Sequence, residues 1–236
     1  MASINTNYGA MVAAQSLSNT SRELDKTQNR VTTGLKVSSA KDNGAIWAIA
    51  TTQKANAKAL DSSINTLQRQ QSIAEVGLAA GDSIMSALSE MKTLAAAIEA
   101  GGTTSAYEAD YTALVAEIGA AVTAATFDGT AALTAPTPST ALAAAGSATA
   151  ANVQLTIDAW TGALQTIGTN AKSYERQITF NTKLQDSLEA GAGNLVDADL
   201  AKESAKLTAL QTKQQLGVQA LSIANSSSSI LLSLFR

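Results

Sequence analysis

The sequence predicts a mainly α-helical protein: long antiparallel helices forming a coiled-coil-like rod, with the N- and C-terminal helices paired. A small irregular or β segment is expected at the outer end. Three observations predict it. Apolar residues recur at 3-4 spacing over several long stretches, which is the signature of a helix with one apolar stripe. Only two prolines occur in 236 residues, Pro136 and Pro138, and they sit together. Hydrophobic residues make up 45% but aromatics only 4%, so the apolar content is mostly Ala, Leu, Ile and Val. That composition suits helices packed closely through small side chains rather than a bulky globular core.

The first stretch, residues 1–36, places Leu17, Leu24 and Val31 on one line, with Ala14, Ser21, Gln28 and Leu35 on the other. Arg22, Glu23, Asp25, Lys26 and Arg30 give it a solvated face of mixed sign. Thr20 and Glu23 have capping-box spacing, but the period runs on through them, which favours one uninterrupted helix. The residues from Gly34 to Gly44, with Ser38-Ser39 and Lys41-Asp42-Asn43, read as a loop.

From Ala45 to Ala100 the helical period returns. Leu60, Leu67, Ala74, Gly81, Leu88 and Ala95 recur every seven residues, and Ile64, Gln71, Leu78 and Met85 fill the second line. A continuous helix here would be about 80 Å long at 1.5 Å per residue, with Gly77 and Gly81 as candidate break points. Gly101-Gly102 ends it. Tyr107 to Thr126 forms a shorter helix with Tyr111, Leu114, Ile118 and Val122 on one face. The segment at about 127–152 holds both prolines and the Asp128-Gly129 turn pair, so short strands or a hairpin are expected. No Lys or Arg occurs from Thr93 through Ala171, while six carboxylates do, which marks a solvated surface. Val153, Ile157, Trp160, Leu164, Ile167, Ala171, Tyr174 and Ile178 define the next long helix, with Gly191-Ala192-Gly193 as its expected end.

The last stretch, residues 195–236, mirrors the first. Leu200, Leu207 and Leu221 share one line, and Glu203, Leu210, Gly217, Ala224 and Leu231 the other. A lone amphipathic helix is marginal in water. This one needs a partner, either elsewhere in the chain or on another copy. Seven residues, Leu17, Leu24, Val31, Leu207, Leu210, Leu221 and Leu231, are therefore the candidate assembly interface.

Composition excludes several function classes. With no Cys and no His, the chain has no disulfide, no thiolate nucleophile and no imidazole base or ligand. A net charge of −3 lacks the basic surplus of a nucleic-acid binder. No window reaches the roughly 18 to 20 apolar residues of a membrane span. The start holds neither a basic cluster nor an apolar run, so no cleaved signal peptide is expected. The stripes lack the basic face of a membrane-surface helix, which leaves partner helices as the better reading. Ser38-Ser39-Ala40-Lys41 matches Ser-x-x-Lys without its companion motifs and reads as an ordinary loop. Gly191-Ala192-Gly193 lacks the third glycine and the preceding strand of a dinucleotide loop. Asp197 and Asp199 read as a helix start, where the dipole favours acids, rather than as a cation site. Asn19-Thr20-Ser21 and Asn225-Ser226-Ser227 fit the glycosylation pattern but lie on the helical stripes. No catalytic, metal or cofactor site is predicted.

Certain runs of residues resemble a family. They are Met1-Ala-Ser-Ile-Asn-Thr-Asn7, Asn29-Arg-Val-Thr-Thr-Gly-Leu-Lys-Val-Ser-Ser-Ala-Lys-Asp-Asn43, Ala48-Ile-Ala50, Asp197-Ala-Asp-Leu-Ala-Lys-Glu203, Ala220-Leu-Ser-Ile-Ala-Asn225 and Leu231-Leu-Ser-Leu-Phe-Arg236. Together they are similar to bacterial flagellin, above all to the short flagellins of alphaproteobacteria. Phe127-Asp-Gly-Thr130 resembles the end of that family's first conserved block. The resemblance implies a non-enzymatic subunit that polymerises with itself into a tubular filament for swimming. It implies that residues 1–36 and 195–236 form the inner filament core and fold on assembly. Residues 37–194 would form the surrounding inner domain. It further implies export without a cleaved signal through the flagellum's own channel, and partnership with an export chaperone, a filament cap and hook-junction proteins. A hook–filament junction protein is the alternative within the same machine. In many flagellins a basic residue in a Leu-Gln-Arg-Met-Arg-Glu-Leu-like segment contacts an animal innate immune receptor. Here Leu88-Ser-Glu-Met-Lys-Thr-Leu94 puts Glu90 at that place, which argues against such recognition and implies rearranged subunit contacts.

Overall fold

A computed structural model of the chain describes residues 7–101, 104–136 and 149–234, with side chains as far as Ser226 in the last helix. Five helices carry nearly all of it: α1 (Tyr8–Thr33), α2 (Gly44–Glu99), α3 (Thr104–Ala124), α4 (Ala150–Val196) and α5 (Leu200–Leu234). Two short strands, β1 (Thr126–Phe127) and β2 (Thr130–Ala131), lie between α3 and α4. The chain divides into two compact units, Met1–Ala57 with Asp186–Arg236, and Lys58–Gln185.

In the second unit, α2 and α4 run antiparallel. Three pairs set a constant register: Gln185 donates to Asp61 at 2.7 Å, Lys92 donates to Gln154 at 2.6 Å, and Gly81 abuts Leu164. Both heptad lines expected for α2 turn inward. Ala74, Gly81, Leu88 and Ala95 are buried; Leu60, Ile64, Leu67, Gln71, Leu78 and Met85 are half-buried. A third line, Ile84, Met91 and Ile98, is also covered, because α3 packs there and widens the contact stripe. Tyr111 and Ile118 of α3 join Val153 and Trp160 of α4 in this core. Trp160 is its bulkiest fully buried side chain. Burial raises the Tyr111 phenol above its ordinary 10.0.

Two sequence expectations change. Neither Gly77 nor Gly81 breaks α2; both are approach points instead. A Cβ on Gly77 would stand 2.8 Å from the Ala132 carbonyl oxygen, and one on Gly81 would fall on the Leu164 side chain. Gly191-Ala192-Gly193 does not close α4, which continues to Val196. Ala192 is fully buried there, so the small residues serve packing rather than a stop. As expected, Thr20 and Glu23 lie inside an uninterrupted α1 and start no helix.

The Asp128-Gly129 pair does make a hairpin. Both residues have positive φ, 50° and 71°, as a two-residue type I′ turn needs, and Thr126 pairs with Ala131 while Phe127 pairs with Thr130. Arg69 of α2 meets Asp128 at 3.1 Å. That pair is exposed and contributes little. Beyond Pro136 the expected irregular segment, Pro138 included, falls on residues 137–148, outside the described residues. Thr149 caps α4 by accepting from the Asn152 amide at 3.2 Å, and Glu99 accepts from the Ala150 amide at 3.3 Å.

Two glycines predict opposite outcomes. Gly77→Ala pushes a methyl against backbone that cannot swing away, so overpacking should lower stability by about 1 to 3 kcal/mol. Gly119→Ala, in α3 with nothing near the added carbon, should raise it by up to about 1 kcal/mol through helix propensity. Thermal melts followed by circular dichroism would read both shifts. Equal effects at the two sites would refute the close-approach account of Gly77.

Candidate assembly interface

The first unit is built around a single helix pair. Asn7 caps α1, its side-chain oxygen accepting from the Ala10 amide at 3.0 Å. Gly34 ends α1 in the left-handed conformation, φ 71°, with its amide returned to the Arg30 carbonyl. The chain then pairs with the segment before α5. Leu35 and Asp197 form an antiparallel bridge, the Lys36 amide donates to the Val196 carbonyl at 2.6 Å, and the Ala198 amide donates to that of Gly34 at 2.9 Å. Asp199 caps α5 through the Lys202 amide at 3.1 Å. The end of α1 and the start of α5 therefore leave one small knot side by side, anchored on buried Val37, Ala50, Ala192 and Val196.

The loop before α2 is organised by Asp42, whose Oδ2 accepts from the Ser38 hydroxyl and amide and from the Ser39 amide, at 3.0 to 3.2 Å. These bonds, the Ser38 hydroxyl foremost, hold its carboxyl below the ordinary 3.8. Such a depressed carboxylate favours the folded loop above its unfolded pKa and loses that contribution as pH falls through the lowered value. The same geometry answers the Ser-x-x-Lys motif, since the Ser38 hydroxyl is tied to Asp42. Asn43 caps α2 by accepting from the Ile46 amide at 3.2 Å.

From the knot, α1 and α5 run antiparallel in direct contact. Arg30 Nη1 meets Glu203 Oε1 at 3.0 Å. Gln214 Nε2 donates to Ser21 Oγ at 3.4 Å. Leu17 fills the space over Gly217, where a Cβ would come within 3.2 Å of its Cδ1. Asn7 Nδ2 donates to the Ala224 carbonyl at 2.7 Å. On α5 the covered positions are Glu203, Leu207, Leu210, Gln214, Gly217, Leu221 and Ala224, an unbroken 4-3 series. On α1 the covered residues include Ala13, Leu17, Thr20, Leu24, Thr27 and Val31.

Leu17, Leu24 and Val31 thus share a seam with Leu207, Leu210 and Leu221. Only Leu210 among them is fully buried. Leu231 lies in α5, but its side chain is outside the described residues. The second α1 line is shifted from the expected one. Ala14 and Gln28 are exposed, and Thr20 and Thr27, at 3% and 1% exposure, take the inner places. Apolar counting misses such threonines, because a helical threonine can satisfy its own hydroxyl. Thr20 donates to the Ser16 carbonyl at 3.0 Å. Leu200 also departs, standing exposed at the helix start. The Arg30–Glu203 pair was findable in principle, since an acid on an apolar line calls for a base opposite.

A pair of helices can cover one stripe on each and no more. Tyr8, Met11 and Val12 on α1, and Leu216, Val218 and Ile223 on α5, remain exposed. These exposed apolar side chains make the helix pair a candidate interaction surface.

Comparison with known proteins identifies the family. The bacterial flagellin N-terminal helical region matches residues 4–136, and the bacterial flagellin C-terminal helical region matches residues 151–235. The chain is 45% identical to flagellin FljO of Caulobacter vibrioides, over 99% of this chain and 98% of that protein. It is 35% identical to a flagellin of Brucella melitensis, with both chains covered completely. Flagellin C of Rhizobium meliloti is 29% identical, again over the whole of both chains. With its two terminal helices paired along a half-covered seam, the chain belongs to the bacterial flagellin family, and is a structural subunit of the extracellular flagellar filament and not an enzyme.

Proposed function

We propose that the seam between α1 and α5 is the element that couples folding to polymerisation. The observation behind this is the half-covered state of most of its leucines, beside seven exposed large apolar side chains among the described residues of the same two helices. Such a surface is stable only when neighbouring subunits cover it, so the terminal helices are loose in the monomer and ordered in the filament. Residues 1–36 and 195–236 line the inner core, and Leu17, Leu24, Val31, Leu207, Leu210, Leu221 and Leu231 are its assembly contacts. Residues 37–194 supply the layer around that core, with the acidic segment at about 127–152 facing outward. Head-to-tail contacts that do not close on themselves give an open helix.

The family supports a further set of expectations. Export proceeds through the flagellar channel without a cleaved signal, with an export chaperone before assembly and cap and hook-junction proteins at the ends of the filament. Glu90 is exposed on α2, and its charge opposes recognition by the animal innate immune receptor.

Three experiments bear on this reading. Removal of residues 197–236 should leave a soluble, helical protein that does not extend seeded filaments under the electron microscope; filaments from that truncation would sink the proposal. Leu221→Asp should abolish seeded growth while monomer circular dichroism changes little, because one carboxylate on the seam costs several kcal/mol to bury. Glu203→Ala strands the Arg30 guanidinium, whose side chain is 22% exposed. Filaments of that variant should melt at a lower temperature, by the equivalent of about 1 to 3 kcal/mol per subunit, between the surface and buried limits for ion pairs. Arg30→Leu with Glu203→Leu should recover most of the loss. A double variant no better than the single one would refute a seam role for the pair.

A further inference from the structure

A head-to-tail polymer needs two unlike patches on one chain, a projection and a recess that receives it on the next copy. The second unit carries one of each. Among its described residues Phe180 is the most exposed large apolar side chain, at 65%, and Leu184 stands one turn further along α4, also exposed. No residue of the core explains a phenyl ring held in water. Elsewhere on the same unit, Ile73, Ala132, Ile167 and Tyr174 line a groove of about 160 Å³, with Gln70 and Asn170 as its polar members. An enclosed cavity of about 150 Å³ holds a benzene ring, so this open groove, with mostly apolar walls, matches a phenylalanine side chain in size.

The ring cannot fill the groove of its own chain. Phe180 lies about 9 Å along α4 from Tyr174 and about 120° round the helix, so the two patches face different ways. We infer that Phe180, flanked by Leu184, docks in the Ile73–Ile167–Tyr174 groove of a second copy of this chain, forming a subunit contact separate from the α1/α5 seam. The occupant is a second copy because the chain belongs to a family whose members polymerise with themselves. Buried aromatics of this kind act as interface anchors. The inference rests on the filament reading and adds a contact outside the terminal helices.

The absence of cysteine makes the test clean. Asn170→Cys and Leu184→Cys are introduced together, which leaves Phe180 in place. The two sites are about 21 Å apart on one helix, too far to bridge within a chain. Seeded filaments are treated with a short bifunctional thiol reagent and dissolved. The expected result is a ladder of covalent oligomers, with neither single-cysteine chain giving more than background. Filaments that grow normally but yield no ladder overturn the contact while leaving the filament reading intact. Failure of the unsubstituted chain to polymerise would instead overturn the filament reading. As a second measurement, Phe180→Ser should slow seeded elongation by about tenfold or more with monomer helicity unchanged, the scale of losing one anchor residue. Elongation at the unsubstituted rate overturns the inference.

Discussion

Arg30 and Glu203 meet at the base of the α1/α5 seam, Ser21 and Gln214 meet further along it, and Asn7 closes it against Ala224. Between these polar rungs lie leucines that two helices by themselves only half cover. That geometric limit organises the molecule. A two-helix pair buries one stripe from each member, and a longer pair buries more length but never a second face. On our proposal, other copies meet the remaining apolar surface, which places the decision for assembly at the chain ends. The rungs add what leucines cannot supply. A heptad stripe looks alike after every shift of seven residues, whereas an ion pair and a Leu17–Gly217 fit do not. The short backbone bridge between Leu35 and Asp197 works in the same direction by holding the end of α1 and the start of α5 at one point.

The second unit solves a different problem. Its core has four sides to draw on, from α2, α3, α4 and the hairpin segment, and it buries Trp160, Ile84, Leu88 and Met91 completely. Close approach is obtained by omission: Gly77 admits a backbone carbonyl and Gly81 a leucine. This explains how a chain with so few aromatics still forms a dense interior. Small side chains let helices and backbone come near, and dispersion contacts accumulate with proximity. It also gives this unit the means to stand without neighbours, in contrast to the seam.

How much of this was legible depends on the residue type. Both α2 lines, from Leu60 to Ala95 and from Ile64 to Met85, face inward as their spacing indicates, and the Asp128-Gly129 turn forms as its chemistry requires. The glycines misled. Gly77, Gly81, Gly191 and Gly193 look like breaks in a sequence and lie inside continuous helices, because a glycine costs only about 1 kcal/mol there and, at Gly77 and Gly81, close tertiary contact offsets it. Thr20 and Thr27 misled in the other direction, as polar residues that sit inside. Phe180 lies off the α4 apolar line, two residues past Ile178, and only the arrangement of neighbours shows how little of it the described residues cover.

The sequence by itself determined the helical class, the mirrored terminal stripes, the family, and the exclusion of cysteine and histidine chemistry. These are properties of periodicity and composition, which survive without coordinates. The tertiary structure alone decided which of two adjacent helical lines forms the seam, where α2 and α4 touch, which acid meets which base, and which apolar side chains are left in water. Each of those depends on the relative rotation and register of two helices. A helix's own period limits that choice to a few alternatives, and only side-chain packing selects among them.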